Sequence, residues 1–178
     1  LLKKKVVHNF RENDILHGGQ GAPLAPIFHQ LLVNQNKIKL PVCILNIGGI
    51  ANITMISSNN FNDIKSFDIG PGNCLLDEWM RKNSKERFDK NGKLAEEGKT
   101  DEIILNQATD NFDSMRNNHN LSFDVKDFNL NFVRGLSLRD GLSTLTDFTC
   151  TIICQSIINS INLDKDEELN ILVCGGGR

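Results

Sequence analysis

The sequence predicts an α/β protein, and two observations carry that prediction. Apolar stretches at 42–45, 50–56, 64–69 and 169–174 read as strands, set among segments of helical periodicity. Ten of the fourteen glycines fall in four clusters, three of which directly follow one of those strands. The clusters are Gly18-Gly19-Gln20-Gly21, Gly48-Gly49, Gly70-Pro71-Gly72 and Gly175-Gly176-Gly177. Glycine lets a backbone turn sharply and approach a ligand closely. Strand-end turns of this kind are how many α/β proteins hold phosphate or nucleotide.

From the N-terminus, Val6–Phe10 is expected to form a short strand, and Arg11–Asp14 a polar turn into the first cluster. Pro23 suits the first turn of a helix, and Leu24, Ile27, Phe28, Leu31 and Leu32 continue it at helical spacing. Val42–Leu45 and Ile50–Ile56 flank a glycine bend and predict an antiparallel hairpin. Asn59, Asn60 and Asn62 mark the next turn, and Ile64–Ile69 the third strand. Asn73 is placed to cap a helix that carries Asp77 and Glu78 early and Arg81 and Lys82 late, matching its dipole. Lys93–Met115 reads as helical and Asn117–Asp127 as loop. Asp140 is expected to cap a long helix through Ile161, and Leu169–Cys174 to form the closing strand.

Three strands joined by tight turns, then helices and a strand with a glycine-rich exit, match half of the ribonuclease-H-like fold that sugar kinases and actin-like ATPases duplicate. A Rossmann sheet would need GxGxxG between strand and helix, and no such spacing occurs. Residues 1–33 are read as the end of an N-terminal half-domain with its crossover helix, and 34–178 as an incomplete C-terminal half-domain. The chain opens on leucine and stops one residue after a glycine triplet, so the expectation is a fold truncated at both ends.

Composition narrows the function classes. At 178 residues, 39% apolar, 24% charged and with net charge −2, the chain offers no electrostatic case for nucleic acid or membrane partners. No uninterrupted apolar run approaches the ~20 residues that span a bilayer. The five cysteines are odd in number, have apolar neighbours and lack CxxC spacing, which predicts buried, reduced thiols in a cytoplasmic protein. Cys150 and Cys154 stand one helical turn apart, but no His or third Cys accompanies them, so no metal site is expected.

Four motifs resemble one family. Asp14-Ile15-Leu16-His17-Gly18-Gly19-Gln20-Gly21-Ala22-Pro23-Leu24, Leu45–Asn52, Phe67–Asn73 with Asp77 and Trp79, and Val173–Gly177 are similar, in order, to motifs of the anhydro-N-acetylmuramic acid kinases. The resemblance implies an ATP-dependent sugar kinase of the actin and hexokinase superfamily, with Mg²⁺ accompanying ATP. Such enzymes open the 1,6-anhydro ring with water and phosphorylate O6, giving N-acetylmuramic acid 6-phosphate in cell-wall recycling.

Water attacking an anomeric carbon needs a carboxylate base. By resemblance this is Asp14, although a bare sequence equally allows a capping role. Gly48, Gly49, Gly175, Gly176 and Gly177 would border ATP. Arg11, Gln20, Asp68, Gly70, Gly72 and Asn73 are candidate substrate or cleft residues, with ordinary turn, cap or surface roles as the alternatives. Trp79 and the cysteines are expected in the core.

The chain departs from the family pattern at Asn9, where aspartate is usual, and at Ile69, where threonine is common. Ser122–Asp127 is a poor match to a Ser-Thr-Gly-Arg-Glu-like segment. No Gly/Ser/Thr-rich phosphate loop precedes the first motif. The chain is therefore expected to be inactive alone and to need a separate N-terminal half-domain, or a homodimer, as partner. The alternative is a non-catalytic nucleotide-binding module or a decayed remnant.

Overall fold

A computed structural model describes residues 3–19, 21, 23–117, 122–160 and 168–177. Among these, β1 (Val42–Ile47), β2 (Ile50–Ile56) and β3 (Ile64–Pro71) form an antiparallel meander. β4 (Asn170–Cys174) pairs parallel to β1, giving a mixed sheet of order β3-β2-β1-β4. The first two strands turn at Gly48-Gly49 in the register expected of a hairpin, with Ile47 opposite Ala51.

β1 is apolar from Val42 to Leu45, and both its faces are covered there. Cys43 and Leu45 point into the main core, while Val42 and Ile44 meet a smaller cluster with Val33 and Ile56. The main core is filled by α3 (Cys74–Asn83), α5 (Glu102–Asn117) and α6 (Leu138–Ser160). Trp79 is buried there, and its indole N–H donates to the Leu138 carbonyl at 3.0 Å. A Cβ on Gly141 would come within 2.5 Å of the Trp79 ring, so glycine is what lets α6 lie this close to α3.

The first 35 residues differ most from expectation. In place of a strand and a polar turn, Phe10–Leu16 forms a helix, α1, while Val6 and Val7 are exposed. A strand needs a neighbour to satisfy its backbone, whereas a helix closes its own hydrogen bonds. α2 (Pro26–Gln35) begins three residues later than Pro23 suggested, with Pro26 in its first turn. Its predicted apolar face is also reversed: Leu24, Ile27, Phe28, Leu31 and Leu32 are exposed, and Gln30 and Val33 are buried.

Polar bonds explain that orientation. His29 Nδ1 lies 2.8 Å from Thr54 Oγ1, Thr54 lies 3.1 Å from Ser66 Oγ, and Ser66 donates to the Ile53 carbonyl at 2.8 Å. Ser66 spends its proton on the carbonyl, so Thr54 donates to Ser66 and His29 Nδ1–H donates to Thr54. Burial also pushes the His29 pKa down. Gln30 adds a bond from its amide to the Ser58 carbonyl at 3.2 Å.

The helical stretch read from Lys93 to Met115 is broken into α4 (Lys93–Glu96) and α5. The break falls at Gly98, where a Cβ would sit 2.1 Å from the Arg139 carbonyl of α6. Asp101 then accepts from the Ile103 and Ile104 amides and restarts the helix. Asp140 lies in the first turn of α6 and does not cap it. Ser137 Oγ accepts from the Asp140 amide, and the Asp140 carboxylate accepts from Ser137 and the Lys99 amide. Those bonds lower the Asp140 pKa, the Ser137 hydroxyl most of all. The predicted end at Ile161 lies outside the described residues, as do 118–121 of the predicted loop; Val125–Asp127 forms a 3-10 turn with a capping box.

By length and composition, α6 could cross a membrane. Its Leu142, Leu145, Phe148, Ile152 and Ile153 are instead packed in the core. Cys43 and Cys74 are buried, with burial raising both thiols to about 11. Cys150 and Cys154, expected to be buried, are exposed because they fall on the outer side of α6.

Candidate functional site

Three of the four glycine clusters meet at one end of the sheet. The turn after β3 docks on the hairpin bend, with the Gly72 amide donating to the Gly49 carbonyl at 2.9 Å and the Asn73 amide to the Gly48 carbonyl at 2.8 Å. The Gly177 amide reaches the Ile47 carbonyl at 3.1 Å, bringing the exit of β4 to the same point. These contacts leave no room for side chains. A Cβ would lie 2.4 Å from the Gly48 carbonyl oxygen if placed on Gly72, and 2.5 Å from that of Ile47 if placed on Gly175. On Gly177 it would lie 2.7 Å from Asn73 Oδ1. Around Gly49 and Gly176 there is open space.

Asn73 ties this junction together. Expected as an N-cap, it makes no capping bond; its side-chain amide donates to the Ile47 and Gly48 carbonyls, each at 3.0 Å. Beside it opens a cavity of about 660 Å³ lined by Asn73, Asp77, Phe88, Thr146, Gly176 and Gly177, among others. Burial raises the Asp77 pKa, partly offset by Arg81. Phe88 and Thr146 were missed by sequence reasoning. Phe88 had one available signal, as a lone aromatic in the polar run 84–93. Gly70 belongs to the core rather than to a cleft, since a Cβ there would strike Phe112 at 2.6 Å.

The first cluster does different work. His17 ends α1, the Gly18 amide donates to the Ile15 carbonyl at 3.0 Å and the Gly19 amide to the Asp14 carbonyl at 2.9 Å. With Gly18 at φ 86°, this is a Schellman cap. The chain then folds back, and the Gly21 amide donates to Asp14 Oδ2 at 2.8 Å. Asp14 is half-buried and Arg11 exposed. Gln20 lies outside the described residues.

Asp68, on β3, accepts from the Phe123 amide at 3.1 Å. Burial raises its pKa, against the lowering effects of that amide and of the Arg11 charge. The poorly matching segment at 122–127 is thus held against the aspartate of the Asp-x-Gly-Pro-Gly motif. Among the described residues no group of three or more His, Cys, Asp or Glu could hold a metal by itself.

The family model described as anhydro-N-acetylmuramic acid kinase matches residues 3–178. The chain belongs to the anhydro-N-acetylmuramic acid kinase family. Proteins of that name from Pelagibacter ubique and Caulobacter vibrioides are 66% and 38% identical to it, each over 100% of this chain. One from Methylobacterium nodulans is 38% identical over 97% of the chain. The matches cover 48%, 46% and 44% of those proteins, so the chain spans about half the length of these family members.

Proposed function

We propose that this chain supplies one wall of the active site of an ATP-dependent kinase. Its reaction opens the 1,6-anhydro ring of anhydro-N-acetylmuramic acid and yields N-acetylmuramic acid 6-phosphate, for cell-wall sugar recycling in the cytoplasm. The observation that carries the reading is the convergence of the 48–49, 72–73 and 175–177 turns at one sheet end, where Asn73, Gly176 and Gly177 border a cavity of about 660 Å³. Family membership supports which phosphate donor and which sugar are meant.

In this reading residues 34–178 belong to a ribonuclease-H-like half-domain, and 1–33 join it to another. Gly48, Gly49, Gly175, Gly176 and Gly177 lie along ATP, where the open space around Gly49 and Gly176 suits a ligand close to the backbone. Mg²⁺ commonly uses one or two carboxylates together with substrate phosphates; Asp77, half-buried on the cavity wall, is a carboxylate suited to that, and Asp68 is a half-buried carboxylate of β3. The bound ion would neutralise developing phosphate charge.

Asp14 takes a proton from water as its oxygen bonds to the anomeric carbon. The C1–O6 bond breaks, and O6 attacks the γ-phosphorus with ADP departing. Gly21 occupies one carboxylate oxygen of Asp14, and among the described residues no donor occupies the other. Arg11, Gln20, Gly72 and Asn73 support the cleft.

The test is a chimera in which this chain replaces the matched segment of the Pelagibacter ubique protein. It should phosphorylate anhydro-N-acetylmuramic acid with ATP. Asp14→Asn should lose roughly 10²–10⁴-fold in kcat, the contribution of a positioned base. An inactive chimera, or an Asp14→Asn variant with full activity, would defeat the proposal.

A further inference from the structure

We infer that Gly19 is a positioning residue for the Asp14 carboxylate, an inference that rests on Asp14 acting as the base. A Cβ on Gly19 would lie 2.1 Å from Asp14 Oδ2, 2.4 Å from Cγ and 2.6 Å from Oδ1. The three nearest atoms all belong to the carboxylate, the movable end of a side chain. What a side chain at position 19 would meet first is this carboxylate. Gly18 and Gly21 are the members of this cluster with positive φ, at 86° and 76°, and Gly19 is not among such residues.

The two glycines around the carboxylate play complementary parts. Gly21 donates its amide to Oδ2 at 2.8 Å and fixes where that oxygen stands. Gly19 keeps that place empty of other atoms. The Schellman cap makes both possible, because it folds the chain back over the last turn of α1. An added methyl at position 19 would push the carboxylate off the Gly21 amide and re-aim it. Displacing a reacting group by about 1 Å can cost on the order of 10²-fold in rate.

Because Asp14 is half-buried and its carboxylate is the mobile end of a side chain, this displacement leaves the fold intact. A structural glycine would behave in the opposite way, losing stability first. The two roles are separable by experiment.

In the chimera defined above, Gly19→Ala should lower kcat roughly 10²-fold, with KM for ATP and the melting temperature unchanged. Gly135→Ala, at a site with open space and no positive φ, serves as the silent control. In an Asp14→Asn background, adding Gly19→Ala should cost nothing further, since the glycine acts only through that carboxylate. Hydrogen exchange at the Gly21 amide should speed up in Gly19→Ala, a readout that needs no activity.

Parental kcat in Gly19→Ala with unchanged exchange at Gly21 would overturn the inference while leaving Asp14 as base. So would a collapse in melting temperature, or a loss that multiplies with Asp14→Asn. If Asp14→Asn itself stays active, the base assignment fails and the inference goes with it.

Discussion

Asn73 shows how much can hang on one side chain. Its amide serves two carbonyls at the hairpin bend, so Asn73→Ala leaves both without that donor. We expect a loss of about 1–3 kcal/mol in chemical denaturation, together with weaker ATP binding by the chimera. Asn73→Asp should do no better, because an ionised carboxylate cannot donate. Sequence spacing placed Asn73 correctly at the start of α3 and left a cap or a cleft role open; the capping bond is not made. An asparagine can accept as a cap or donate as a clamp, and only the approach of residues 47–48, far away in sequence, decides between them. For Asp14, position relative to the glycines was legible. The fold-back that joins it to Gly21 was not, since a Schellman cap and a phosphate-binding loop share the same glycines.

Asp68 gives a pH-dependent test at the same scale. Burial raises its pKa above that of an ordinary carboxyl, despite the Phe123 amide and Arg11. The native state therefore holds this proton more tightly than the unfolded chain does. That contribution is fully present below the ordinary carboxylate range and disappears as pH rises through the elevated folded value. Asp68→Asn keeps an oxygen for the Phe123 amide and removes the buried charge. It should melt higher than the parent near pH 7, with the gap closing toward about pH 4. A gap that widens on acidification would contradict this account.

At the scale of elements, α2 separates hydrophobic pattern from actual burial. Its sheet-facing side is Gln30 and Val33, with His29 bonded to Thr54, while Ile27, Phe28 and Leu31 face outward. Val33→Ala should cost roughly 1.5–3 kcal/mol, the worth of a fully buried valine. Leu31→Glu should stay within about 0.5 kcal/mol in this chain. Urea denaturation of both variants checks the orientation. Periodicity identified the helix but could not choose its face, because it scores apolar residues and is blind to a chain of hydroxyl bonds. The strands were more legible, since β1 and β4 are mostly apolar and each runs directly into a glycine turn. The α4–α5 break was hidden, being caused by the passage of α6 over Gly98.

At the scale of the whole molecule, exposed apolar side chains are concentrated on α1, α2 and β4, including Phe10, Leu16, Ile27, Phe28, Ile171 and Val173. Exposed apolar side chains, where they join into a patch, mark a contact face. We expect the 178-residue chain on its own to bind a hydrophobic dye strongly and to show no kinase activity, and the chimera to bind the dye weakly. Equal dye binding by the two would mean that these residues remain uncovered in the longer protein. The α/β class and the sequence order of the glycine turns were readable in advance. Their meeting point was not, because it depends on β4 returning beside β1 from more than a hundred residues away.

The packing of Trp79 against Gly141 has an optical consequence. The chain has one tryptophan and no tyrosine, so near-ultraviolet emission comes from a single indole. That indole is hydrogen-bonded across the joint between α3 and α6, and those two helices also supply Asp77 and Thr146 to the cavity wall. Emission colour and quenching therefore gauge how tightly that joint is closed, without any label. A ligand that settles in the cavity and shifts α3 would announce itself in the fluorescence of the unmodified protein.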